Sequence, residues 1–336
     1  MKHKANIAFA FMMLSGAAFA APRDFLIGPD YAPAPEMSAQ PGVPAGTVHD
    51  LVMLSADSRL YPGIARADND VTRRRDAYDN KLAASFAEES VAAPYARHVY
   101  VYVPSQYVPG TAAPFIVVQD GHSYVNRIAP VLDNMIATHR LPVMIAVMID
   151  SGGGDAQGSE RGLEYDTVSG RYAEFVEHEV LPAITKAYGV AFTSDPDGRA
   201  TMGGSSGGVA AFTMGWFHPE LYHRILTYSG TYVNQQSPPD PRTPEGAWDY
   251  PKIVAHNARK PLRIWMEVGE KDLHFDDPAS TYHNWVMANR RMAAVLKRKG
   301  YPYRFVFALG AKHVDGRMIA QTLPGALEWL WQGYPK

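Results

Sequence analysis

Three side chains able to run nucleophilic acyl chemistry follow one another along this chain, each just past an apolar run of strand character: Ser205, Asp272 and His313. A serine hydroxyl is a weak nucleophile at neutral pH. It needs an imidazole to take its proton and return it to the leaving group, and a carboxylate to fix the imidazole tautomer and stabilise the imidazolium. Ser205 lies in Met202-Gly203-Gly204-Ser205-Ser206-Gly207-Gly208, which satisfies G-x-S-x-G through Gly203, Ser205 and Gly207. That spacing places a serine on a sharp strand-to-helix turn, where side chains beside it would collide. The stretch also fits a second frame, Gly204, Ser206 and Gly208, so Ser206 stays open as the nucleophile. The Ser205 frame is favoured because Gly207 and Gly208 then both follow the serine and the helix from Val209 starts in register.

The other two members also have rivals. Asp272 closes Gly269-Glu270-Lys271-Asp272, and Glu270, Asp276 and Asp277 compete with it as the acid. His313 lies after the last strand and before the last helix, with His274 as its main competitor. A tetrahedral oxyanion needs aimed donors. The Ser206 backbone N–H and a second one near Gly121 or His122 are expected to supply them. Metal and nucleotide chemistry are poorly served, since His178-Glu179 has Pro182 where H-E-x-x-H needs histidine, and Gly152-Gly153-Gly154 lacks a P-loop lysine.

The elements that would position these residues are legible from about residue 98. His98 to Val103, Phe115 to Gln119, Val143 to Ile149, Ala200 to Met202, Arg224 to Tyr228, Leu262 to Val268 and Tyr303 to Ala308 read as strands. Helical periods fall between them, as at Val125 to Thr138, at Tyr172 to Ala187 with a bend expected at Pro182, and at Ala279 to Gly300. Short apolar strands alternating with amphipathic helices predict an α/β fold, a mostly parallel sheet covered on both faces, with loops at the carboxyl ends of the strands carrying the site. Ser151 to Gly158 reads as a glycine-rich loop beside it.

Composition bounds the rest. The 336 residues are 46% hydrophobic, enough for a large core, and carry a formal charge of −2. Residues 1–20 combine Lys2 and Lys4, an apolar run from Ile7 to Leu14 and Ala18-Phe19-Ala20, the three parts of a secretory leader too short to span a bilayer. Its removal moves the charge to −4. A periplasmic or secreted protein is expected. Arg73-Arg74-Arg75 sits among acids and no basic stripe accompanies it, which argues against nucleic acid as a partner. The absence of cysteine excludes a thiol nucleophile and disulfides. The proline-rich residues 21–50 read as an extended arm, Asp68 to Glu89 as a charged helix-permissive insertion, and residues 51–336 as one catalytic domain. Nothing indicates the oligomeric state.

With these residues assembled, the chain resembles the enterochelin-esterase and feruloyl-esterase group of secreted α/β-hydrolases. Val101-Tyr102-Val103-Pro104 with Asp120-Gly121, Arg161-Gly162-Leu163-Glu164-Tyr165, the glycine-serine elbow, and Gly269-Glu270-Lys271-Asp272 with His313 carry the resemblance. It implies a serine esterase without cofactor, with Ser205, Asp272 and His313 as triad, acting on siderophore, hydroxycinnamoyl-sugar or other acyl esters. An acyltransferase on the same fold and a non-catalytic binding protein are the rival readings. Tyr232 to Tyr250 stands where such folds carry a cap, so Tyr232 and Trp248 are candidate walls of an aromatic acyl pocket, with burial in the core as the alternative. Arg161 is expected to pair with Glu164 and brace the loop, or else to bind an anionic substrate group.

Overall fold

A computed structural model describes residues 24–66, 90–153 and 158–336. The leader, the insertion from Asp68 to Glu89 with its arginine run, and the middle of the glycine-rich loop lie outside the described residues.

Nine strands form one sheet: β1 (Asp24–Ile27), β2 (Thr47–Leu54), β3 (Ala96–Val103), β4 (Phe115–Gln119), β5 (Ile145–Ile149), β6 (Arg199–Gly204), β7 (Arg224–Tyr228), β8 (Arg263–Gly269) and β9 (Tyr303–Ala308). Their spatial order is β1-β9-β8-β7-β6-β4-β5-β3-β2. The seven strands β1-β9-β8-β7-β6-β4-β5 pair in parallel, while β3 pairs antiparallel with β5 and β2 antiparallel with β3 at one edge. The sheet is thus mostly parallel, as the alternation predicted.

Its central strands are buried on both faces, and successive residues feed different cores. Val118, Met148 and Leu226 point to one side, where α1 (Gly121–Ala137) and α8 (Gly316–Leu330) supply Ile128, Leu132, Met318 and Leu323. Val117 and Val147 point to the other, beneath α3 (Arg171–Phe175) and α4 (Leu181–Tyr188), which follow the short α2 (Glu160–Tyr165). The bend expected at Pro182 takes the form of a π-helical turn over Val176–Val180, which ends two residues before the proline that lacks an N–H. On the same face lie α5 (Ser206–Phe217), α6 (Tyr250–His256) and α7 (Trp285–Arg298). Helix α5 is buried from Ser206 to Trp216, which is why its sequence is apolar all round.

The N-terminal segment departs from expectation. Residues read as an extended arm supply β1, which adds to β9 at the far edge, and the first half of β2, which pairs with β3. The expected boundary at residue 51 falls inside β2. Asn134 in α1 anchors the intervening coil by donating from Nδ2 to the carbonyls of Glu36 and Ser38, both at 2.9 Å.

Candidate active site

Strand β6 ends at Gly204 and α5 begins at Ser206, so Ser205 is the single residue that turns the chain. Its φ of 57° and ψ of −128° are unfavourable for a side-chain-bearing residue and match a strained elbow. The turn survives because its neighbours are small. A Cβ on Gly207 would stand 2.9 Å from the Gln119 side chain at the end of β4. Backbone bonds then hold the serine in place, its N–H donating to the Tyr228 carbonyl at 2.9 Å and its own carbonyl accepting from Thr231 N–H at 3.0 Å.

The loops after β8 and β9 bring the other two groups to this hydroxyl. His313 Nε2 lies 2.8 Å from Ser205 Oγ, and His313 Nδ1 lies 2.5 Å from Asp272 Oδ1. A carboxylate can only accept, so the imidazole proton sits on Nδ1 and Nε2 presents its lone pair to the serine. Asp272 is buried, and the same oxygen accepts from Leu273 N–H at 2.7 Å. The competing groups are engaged elsewhere. Glu270 accepts from Gly310 N–H at 2.8 Å, Asp277 pairs with His274 at 3.2 Å, and Asp276 is exposed. Ser206 turns its hydroxyl away, donating to Asp166 at 3.1 Å.

The histidine loop is itself braced. Val314, next to His313, has a φ of 45°, strained for a β-branched residue, and its N–H donates to Ser229 Oγ at 3.0 Å. Trp285 meets the His313 ring edge-on with centroids 5.9 Å apart. Thr231, which the sequence reading did not single out, lies 3.3 Å from Ser205 Oγ through its hydroxyl.

Of the expected oxyanion donors, Ser206 and Gly121 stand first in α5 and α1, where amide N–H groups have no intrahelical acceptor and the helix dipole favours negative charge. Gly121 must be glycine, since a Cβ would stand 2.5 Å from the Met148 carbonyl on β5. His122 is a correction. Its N–H donates to Asp150 Oδ1 at 2.8 Å and its Nδ1 is also 2.8 Å from that oxygen, so it serves as an anchor for the start of α1.

The substrate-binding expectations are corrected too. Arg161 does not pair with Glu164; it grips Asp120, with Nε at 3.1 Å and Nη2 at 2.9 Å, and stacks over Tyr165. Asp120 has a left-handed backbone, and the arginine fixes it directly before Gly121. Glu164 instead pairs with buried Arg97 and accepts from Tyr95 OH at 2.8 Å. Tyr232 and Trp248 are 1% and 6% exposed and belong to the apolar core. Tyr232 packs edge-on against Phe212 at 5.7 Å, and Trp248 is covered by the Arg291 guanidinium at 4.1 Å, leaving little ring surface for a ligand. Large aromatics gain more from burial than from walling an open cleft.

A mostly parallel sheet with a serine elbow, an acid and a histidine at the carboxyl ends of its strands is an architecture of the α/β-hydrolase type. Residues 90–324 match the family model described as "Putative esterase". The chain belongs to that family. An uncharacterized Bacillus subtilis protein, YbbA, is 21% identical over 249 residues, covering 70% of this chain and 92% of its own. The iron(III) enterobactin esterase of Dickeya dadantii is 27% identical over 138 residues, 40% of this chain and 30% of its own. Among solved structures, the enterobactin esterase of Shigella flexneri superposes with a TM-score of 0.54 at 22% identity, covering 70% of this chain and 56% of its own. A ferulic acid esterase from the anaerobic fungus Anaeromyces mucronatus gives 0.57 at 14% identity, covering 90% of this chain and 96% of its own. The chain therefore spans little more than half of the Shigella enzyme and under a third of the Dickeya one, and at these identities the structural likeness concerns the fold.

Proposed function

We propose that this chain hydrolyses carboxylic esters through an acyl-enzyme on Ser205, with His313 as general base and acid and Asp272 as its orienting carboxylate. The observation that supports this most is the unbroken line from Asp272 Oδ1 through the imidazole to Ser205 Oγ, at 2.5 and 2.8 Å. Ser205 Oγ attacks the ester carbonyl carbon while His313 Nε2 takes its proton, and the carbonyl pair moves onto oxygen, facing the Ser206 and Gly121 N–H groups. Collapse expels the alcohol, which carries away the proton held by His313. Water repeats the sequence on the acyl-enzyme, and the Ser205 oxygen leaves with its bonding pair and is reprotonated by His313. Each oxyanion donor is worth about 3 kcal/mol of barrier.

Esters of aryl-bearing acyl groups, siderophore-like or hydroxycinnamoyl, are the favoured substrate class. The names of two relatives support it, one an enterobactin esterase crystallised with a dihydroxybenzoyl-glycine and the other a ferulic acid esterase. Acyl-sugar and catecholate esters belong in the same panel. Residues 1–20 support export to the periplasm or beyond as part of this reading; N-terminal sequencing of the protein from a secreting host should find Ala21 first. No helix among the described residues is long and apolar enough to cross a membrane.

The test is an ester panel assayed with wild-type protein and Ser205→Ala, with an alcohol acceptor added to reveal acyl transfer, and a fluorophosphonate label mapped by mass spectrometry. Hydrolysis lost in Ser205→Ala with an adduct on Ser205 is expected. An adduct on Ser206 moves the nucleophile, and no adduct and no turnover leaves a binding protein.

A further inference from the structure

We propose that Thr231 is a further catalytic residue of this site, its hydroxyl donating to the Ser205 oxygen during acyl transfer. The inference rests on the reading of Ser205 as nucleophile.

Thr231 is 1% exposed and follows β7 in the loop beside the elbow. Its position is tightly determined. Its N–H donates to the Ser205 carbonyl at 3.0 Å, and the preceding Gly230 carbonyl accepts from Asn289 Nδ2 on α7 at 2.9 Å. The side-chain oxygen lies 3.3 Å from Ser205 Oγ and 3.3 Å from Trp285 Nε1.

The indole fixes one of these bonds, and the triad fixes the other. An indole N–H donates and cannot accept, so Thr231 Oγ1 is the acceptor from Trp285. A buried hydroxyl proton needs an acceptor of its own, and among the described residues Ser205 Oγ is the one the Thr231 hydroxyl meets. Ser205 in turn gives its proton to His313 Nε2, whose ring proton is committed to Asp272. The chain therefore runs one way, from Trp285 N–H to Thr231, from Thr231 O–H to Ser205, and from Ser205 O–H to His313. With the Ser205 proton committed to His313, the reverse orientation would leave the Thr231 hydroxyl proton without an acceptor among the described residues.

This polarity matters when charge gathers on the serine oxygen. As Oγ attacks, its proton passes to His313 and its lone pair begins the bond to carbon; as the acyl-enzyme breaks down, the bonding pair returns to Oγ before reprotonation. In both transition states the oxygen carries partial negative charge, and a donor at hand stabilises it more than it stabilises the resting hydroxyl. The proton of Thr231 stays on threonine throughout. The 3.3 Å separations are long for such bonds at rest and shorten as charge develops.

Thr231→Val removes the hydroxyl at nearly constant shape, and Thr231→Ser keeps it. Hydrolysis of p-nitrophenyl acetate and inactivation by a fluorophosphonate are the two readouts, with thermal melting as the check on folding. Thr231→Val should slow both kcat/KM and inactivation about tenfold, while Thr231→Ser stays within about threefold of wild type. If valine does not fold, Thr231→Ala against Thr231→Ser gives the same comparison. Folded Thr231→Val reacting at wild-type rates, or Thr231→Ser losing as much as Thr231→Val, overturns the assignment. A wild-type phosphonate adduct absent from Ser205 overturns the nucleophile instead, so the two failures are distinguishable.

Discussion

Replacing Glu267 with glutamine should make the protein more stable at neutral pH and leave it unchanged at pH 4. Glu267 lies on β8, two strands from the elbow, fully buried, and burial pushes its carboxyl up to about 8. Its hydrogen bonds suit a neutral group. Trp265 Nε1 donates to Oε2 at 3.2 Å, and Thr322 Oγ1 is 3.1 Å from Oε1 while also 2.9 Å from the Met318 carbonyl. Glutamine reproduces this set, its oxygen facing the indole and its amide donating to Thr322. Between the ordinary carboxylate value near 4.5 and the folded value near 8, the unfolded chain has lost the Glu267 proton and the folded chain retains it. Stability must therefore fall as pH rises through that window, by up to about 1.4 kcal/mol per pH unit from this residue, and the Gln variant lacks the term. Urea unfolding followed by tryptophan fluorescence at pH 5 and pH 7.5 should show the variant's advantage growing by about 3 kcal/mol. Parallel pH profiles for the two proteins would refute the argument, because they would mean that Glu267 does not change its protonation on folding.

Other outcomes follow from the site. Asp272→Asn, assayed on an activated ester, should lower kcat by about 10³ to 10⁴ with little change in KM, since it removes the charge that stabilises the imidazolium. Arg161→Ala should cost about 1–3 kcal/mol in a urea titration by leaving Asp120 without its grip, while the preference between anionic and neutral esters stays put. Trp248→Ala should lose about 3–5 kcal/mol of stability, with unaltered selectivity between aryl and short alkyl esters, because its ring fills the core.

The central strands and the elbow could be read from the chain because their signals are local. Phe115–Gln119 and Tyr303–Ala308 are apolar runs with turn residues at each end, and the structure gives them these same bounds. The carboxyl-end placement of Ser205, Asp272 and His313 follows from strand order alone. What escaped is decided by distant partners. Strand β1 is four residues long, two of them exposed, and gains its structure only by lying against β9. Arg161 and Glu164 are spaced to meet on a helix, yet Asp120 at the end of β4 and Arg97 on β3 each stand closer to charge balance for one of them. Nothing in a lone sequence says whether Tyr232 faces a ligand or Phe212. Thr231 carried no motif; its significance comes from Trp285, a helix that the chain reaches more than fifty residues later.

The pairing of β1 with β9 also sets a timetable for assembly. The first described strand hydrogen-bonds to the last, with Asp24 opposite Phe305 and Ile27 opposite Ala308. During synthesis, which proceeds from the N-terminus, those few residues have no template until nearly the whole polypeptide has emerged. Until then the growing sheet ends in an open border at β8 and then at β9, a sticky rim for any neighbouring chain. Clipping the chain before Leu26 would make that vulnerability permanent, so the N-terminal segment acts as the molecule's own closing seam.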